Sequence, residues 1–248
     1  MVPVTVDQLD VAARLAGIAT ALTGLELAAA LPRIASWQVR PRYFTAPGAV
    51  RRYRALALLT ALLGLDFAVR PEDCLAGGGL LACLLLLRFT VALEAAGDGA
   101  DIMLATVLVP LGCWTHLTAP WIRDLLLGCL AVKVCTAYLR SGVAKLAVAA
   151  WRSGRQVALI VNSRHYGARL PAWPLLEYPQ LARAVAWSVM LVEVVAPVAV
   201  LIGHQVLLVW AGCALLLHAG IAGVMRLPRF MWAFTAGLAC LLAFRGIF

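Results

Sequence analysis

The sequence has almost no lysine: of its 21 basic side chains only Lys133 and Lys145 are lysines, and the rest are arginine. Charge of either sign is scarce, since Asp, Glu, Lys and Arg make up 13% of the 248 residues, where a soluble domain carries roughly 25%. With 63% apolar residues and a mean hydropathy of +0.91, the chain cannot coat a water-soluble globule with polar surface. Lipid is therefore the expected solvent for most of it. There is no basic stretch within Met1–Asp10, and the apolar run that follows is too long for a cleavable leader, so the first helix is expected to act as its own insertion signal. No GxSxG, P-loop or dinucleotide fingerprint occurs, which removes hydrolase, ATPase and Rossmann chemistry. The four histidines show neither HExxH nor paired spacing, so no metal site is expected. The seven cysteines form no CxxC pair and lie mostly in apolar runs, as packing residues do.

What is present is a succession of apolar runs of membrane-crossing length, about 20 residues each. Eight spans are predicted, at Leu9–Leu31, Ala55–Val69, Cys74–Ala96, Asp101–Leu117, Ile122–Ala147, Leu181–Ile202, Gln205–Met225 and Phe230–Phe248. Each should be helical, because hydrocarbon leaves backbone polar groups no other partner. The fold class expected is thus an all-α integral membrane protein, one transmembrane domain over residues 1–248. Two amphipathic interfacial segments, Pro32–Arg54 and Val148–Gln180, mix Arg with Trp and Tyr. The net charge of +9 has no accompanying face of basic and aromatic side chains, so nucleic acid is excluded as a partner. Membrane lipids take its place, with arginine clusters at 33–54, 152–169 and 226–229 marking one side, predicted cytoplasmic.

Ionisable groups inside a span cost a few kcal/mol each on insertion scales, so each needs a partner or a task. The candidates are Glu26, Asp66, Arg88, Glu94, Lys133, Lys145, Glu193 and His218. Arg88 and Glu94 lie near a span end, where snorkelling accounts for them. The lysines are different. A chain that uses arginine for headgroup contacts keeps its two lysines in one apolar run, and a desolvated lysine, unlike arginine, can release its proton. Lys145 is therefore a candidate general base; the alternative is a structural ion pair with Glu193 or Glu94. Tyr138, Ser141, Gly142 and Lys145 recur on one helical face, and the small residues 141 and 142 admit either another helix or a flat ligand ring. His218 lies in the middle of the seventh span, where a lone histidine is more often satisfied by a neighbouring helix than catalytic. His165 falls in the interfacial segment.

Tyr138-Leu-Arg-Ser-Gly-Val-Ala-Lys145-Leu146, Trp151-Arg-Ser-Gly154 and Ser163-Arg-His-Tyr166 together resemble the signature of the vitamin K-dependent γ-glutamyl carboxylases and of their bacterial relatives, the HTTM (horizontally transferred transmembrane) proteins. His218, Met225-Arg-Leu-Pro-Arg-Phe230, Trp232-Ala-Phe234 and Glu193 before Pro197 are similar to later parts of that pattern. Weaker echoes are Arg14 with Gly17, and Gly99-Ala-Asp101. The resemblance spans most of the chain, and Tyr138–Tyr166 is its specific part. It implies a membrane-embedded enzyme in which Lys145 deprotonates a reduced vitamin K or menaquinol-type quinol. O2 then converts the quinol to its epoxide, and the strong base so formed removes a carbon-bound proton, to which CO2 can add. Tyr138, Trp151, His165 and His218 are implied as quinol-binding positions; Tyr166, Glu193 and Arg88 are substrate-binding candidates. The carboxylases have two adjacent lysines where this chain has Ala144-Lys145, and Trp151 is displaced by one residue. These 248 residues also contain no large β-rich portion, so the expected substrate is a peptide or small molecule, with or without a soluble partner subunit. Short bacterial members resemble the membrane protein that matures a sporulation-delaying peptide toxin. The expected location is a bacterial inner membrane, and the competing function is a non-catalytic factor for peptide maturation, assembly or immunity.

Overall fold

The computed structural model describes residues 6–35, 48–71, 99–113, 119–163, 175–225 and 227–245. Within them every regular element is a helix: α1 (Val6–Ala35), α2 (Ala49–Val69), α3 (Gly99–Cys113), α4 (Pro120–Ala147), α5 (Ala149–Arg152), α6 (Arg155–Val161), α7 (Pro179–Ile202), α8 (His204–Met225) and α9 (Pro228–Phe244). The all-α expectation holds. Three helical stretches are long and apolar enough to cross a membrane, Leu9–Ala29 within α1, then α7 and α8; Gly99–Leu111 and α9 are apolar but shorter. α4 has the length, 28 residues, but carries Arg123, Asp124, Lys133, Arg140 and Lys145. By length and composition the described residues thus supply three crossings rather than eight.

Five predicted spans begin within two residues of an observed helix, those at Asp101, Ile122, Leu181, Gln205 and Phe230. The first two are corrected. α1 continues to Ala35, and α2 starts at Ala49 rather than Ala55, after Gly48 at φ +73°. The ends of the interfacial segment Pro32–Arg54 are therefore parts of two longer helices. Its middle, together with the predicted span Cys74–Ala96, lies outside the described residues. The second interfacial segment breaks at Val148, which is extended, and at Gly154, which is left-handed, leaving the short helices α5 and α6.

The chain divides into two compact units, Met1–Leu130 with Trp232–Phe248, and Ala131–Met231. In the first, α1 lies against α2 backbone to backbone. A Cβ at Gly17 would sit 2.6 Å from the Ala68 nitrogen, one at Gly24 would sit 2.5 Å from the Ala57 carbonyl oxygen, and one at Gly64 would sit 2.6 Å from the Ala21 nitrogen. Small residues at these crossings let apolar helices gain dispersion contact where lipid supplies no hydrophobic drive. Arg14 closes the arrangement: Nε bonds Asp10 at 2.8 Å, and a terminal nitrogen donates to the Ala68 and Val69 carbonyls at 3.1 Å, which end α2 without helical partners. The weaker sequence echo at Arg14 and Gly17 thus has a packing explanation.

In the second unit α7 and α8 fold back on one another at the single residue Gly203. Val157, Ala158 and Val161 of α6 bury against Ala182, Ala186 and Met190 of α7, with Trp151 and Leu146 at the edge. Gly154 fits here because a side chain would strike α7, its Cβ lying 2.5 Å from the Ala182 carbonyl carbon. The outer faces of α7 and α8 are apolar and exposed, Leu201 by 82% and Leu216 by 75%. Such a surface needs lipid rather than water beside it.

Candidate functional site

α4 brings Tyr138, Ser141, Gly142 and Lys145 onto one face, as their spacing predicts. All four lie within the second unit. At Gly142 the neighbour is a helix: an added Cβ would meet Glu193 Cβ at 2.9 Å and the Val194 nitrogen at 3.1 Å. That close approach carries Glu193 of α7 to the lysine. Lys145 Nζ donates to Glu193 Oε1 at 2.6 Å, to Oε2 at 2.7 Å and to Ser141 Oγ at 2.6 Å. Ser141 in turn donates to Glu193 Oε1 at 3.1 Å, closing a ring of three side chains. The Lys145 side chain is 19% exposed and that of Glu193 is 9%, so neither charge has enough water to stand alone. Of the two roles open to Lys145 in the sequence, an ion pair with Glu193 is therefore realised. Nζ spends three donors, the full complement of an ammonium. The unpartnered amine implied by the resemblance is not the geometry found, since Nζ lies within bonding distance of both Glu193 oxygens.

Pro197 contributes from within α7. Lacking an N–H, it cannot donate to the carbonyl four residues earlier, which belongs to Glu193. The helix backbone is thus interrupted beside the acid. One residue away, Trp210 Nε1 of α8 donates to the Val192 carbonyl at 2.8 Å.

Two turns before Lys145, Tyr138 is buried and its hydroxyl lies 2.7 Å from His218 Nε2 of α8. Trp210 packs edge-on against the Tyr138 ring at 5.2 Å and 76°. His218 is thus held by a partner from another helix, the role open to a mid-span histidine. Trp151 of α5 presents its ring to Lys145, with Nζ 5.3 Å from the centroid, within cation–π range. Five of the sequence candidates, Lys145, Tyr138, Trp151, His218 and Glu193, are therefore gathered in one unit. His165, Tyr166 and Arg88 lie outside the described residues. Sequence reasoning missed Trp210, one more aromatic in an apolar run, and took Ser141 for a small residue rather than the bridge between lysine and acid.

Chemically, the cluster offers a cation, an anion and a hydroxyl that can exchange a proton among themselves. Beside it stand an imidazole–phenol pair and an aromatic face. Among the described residues no three His, Cys, Asp or Glu side chains come together as metal ligands. The chain matches no protein-family model, no curated protein and no solved structure.

Proposed function

We propose that this chain is an eight-span integral protein of a bacterial inner membrane and a quinol- and O2-dependent enzyme of the carboxylase-like kind, modifying a peptide or small substrate. The observation that carries the proposal is the ring of Lys145, Glu193 and Ser141, closed by four hydrogen bonds in a chain where charge is otherwise rare. An ionisable pair kept inside a membrane protein is costly, which makes it a candidate functional site.

The donor set suits a hydroquinone. Its phenolic oxygens need hydrogen-bonding groups that can take up or supply a proton, and its ring needs a flat apolar wall. Glu193, Tyr138 and His218 supply the first, and Trp151 the second. When bound, such a quinol would supply an acidic oxygen and the electrons that reduce O2, with CO2 as a further co-substrate. The protein's part is to manage protons and charge. Because Lys145 already carries the hydrogens of an ammonium, a proton delivered to the pair ends on the Glu193 carboxylate. Lys145 would keep its positive charge and stabilise negative charge that develops beside it. Ser141, bonded to both partners, holds the pair in register as the carboxylate changes charge. Glu193 therefore becomes the proton acceptor of the site rather than a substrate contact, and the base is the pair rather than lysine alone.

The test is quinol epoxidation by the reconstituted protein carrying Glu193→Gln, which keeps the side chain's shape but cannot take up a proton. Loss of turnover is expected; unchanged turnover discards the mechanism. The tight fit of Gly142 against Glu193 and Val194 favours a second reading, in which the ion pair is a clamp between α4 and α7 of a non-catalytic factor for peptide maturation, assembly or immunity. That reading expects no quinone to copurify and function to survive when both charges are replaced together.

A further inference from the structure

α4 carries a second polar face, turned roughly a third of a turn or more from Lys145 at 100° per residue. Lys133 and Arg140 are exposed there, seven residues apart and so on the same side of the helix. No ion pair of either side chain is found among the described residues, whereas Arg14 pairs with Asp10, Arg70 with Asp66 and Lys145 with Glu193. Thr136 stands between the two cations, but its hydroxyl donates to the Lys133 backbone carbonyl at 3.0 Å and so neutralises neither. Around them Val132 is 64% exposed and Val143 52%, and Ala144 and Ala147 are exposed as well.

This is not the surface of a water-filled passage, because its other members are apolar. Nor is Lys133 within reach of headgroups. Lys133 is the fourteenth of the 28 residues of α4, which places it at mid-depth if α4 crosses, as the eight-span reading has it. Cations left there in lipid are costly. Small neighbours, however, let another helix come close.

We propose that this face docks an acid-bearing transmembrane helix of a partner protein, whose two carboxylates, spaced seven residues apart, pair with Lys133 and Arg140. A helix is required because at that depth the partner must satisfy its own backbone. The described helices of a second copy offer no matching acid pair: none carries two carboxylates at that spacing, and Asp10, Asp66 and Glu193 are already paired.

The experiment uses the full chain in lipid vesicles with a dye-labelled Leu/Ala transmembrane peptide bearing two Glu seven residues apart, and the same peptide with two Gln. Energy transfer should report association of the Glu peptide and about tenfold weaker association of the Gln peptide. Lys133→Met with Arg140→Met should reduce binding of the Glu peptide by the same factor and leave the Gln peptide unchanged. Equal binding of the two peptides overturns the proposal, and so does indifference to the double substitution. Self-association of the chain that the double substitution abolishes also overturns it, in favour of a second copy. Should that variant misfold by circular dichroism, the two peptides on the unaltered chain still decide. Failure of the eight-span reading is separable: with the seven native cysteines replaced by serine or alanine, a thiol at Lys133→Cys that reacts in vesicles with a membrane-impermeant maleimide shows that α4 is not a span. Neither arm depends on quinol turnover.

Discussion

The two compact units handle their polar groups in opposite ways. In the first, hydroxyls are satisfied along their own helix: Thr20 and Thr23 donate to the carbonyls four residues back, at 2.7 and 2.8 Å, and Thr60 does the same in α2. Its ion pairs, Arg14–Asp10 and Arg70–Asp66, are local and exposed. In the second, polar groups reach across elements, Lys145 to Glu193 over 48 positions and Tyr138 to His218 over 80. Local satisfaction demands nothing of the fold. Long-range satisfaction ties α4, α7 and α8 to one geometry, and it is expensive if any member is lost. Among the described residues the first unit's bonds between helices run from Arg14 to backbone carbonyls of α2, whereas the second joins side chain to side chain across helices.

The largest effect that could break this contrast is removal of one partner of the buried pair. Lys145→Met should destabilise the protein by about 3–5 kcal/mol, because Glu193 is left charged without a counter-ion. Lys145→Met combined with Glu193→Leu should recover most of that loss in thermal unfolding while quinol turnover stays absent. A double variant as unstable as the single would mean that the pair is not the source of the cost.

Next come the glycine crossings of the first unit. Gly24→Val or Gly64→Val should cost about 1–3 kcal/mol by forcing α1 from α2, since the new Cβ meets backbone that cannot yield. This loss should appear in detergent stability with the Lys145 site unaltered. Tyr138→Phe removes the His218 hydrogen bond and should cost about 1–2 kcal/mol, together with a change in the histidine ring signals by NMR. Smallest is Arg14→Met, about 0.5–1 kcal/mol, for losing the cation at the carbonyl end of α2.

Much of this was legible in the residues, and the reason is scarcity. In a chain with two lysines, a lysine at helical spacing from Tyr138 and Ser141 stands out, and Glu193 and His218 stand out in apolar runs for the same reason. Helix starts could be read wherever Pro or a charge ends an apolar run, as at Pro179 and Pro228. The long α1 and the early start of α2 could not, because alanine- and arginine-rich sequence suits a helix and a headgroup layer equally well. Nor was the state of Lys145 legible. Sequence spacing placed it on a face but could not say whether α7 would bring Glu193 onto its amine, which depends on Gly142 admitting that helix. Trp210 carried no signal at all, since a tryptophan in an apolar run has too many ordinary uses.

Infrared difference spectroscopy of the protein in nanodiscs, with and without added menaquinol, tests the central claim most directly. If the Lys145–Glu193 pair takes up the quinol proton, a protonated carboxyl band should appear on addition, shift with 13C-labelled glutamate and vanish in Glu193→Gln. Bound quinol with no such band, or a band that survives Glu193→Gln, would contradict the account.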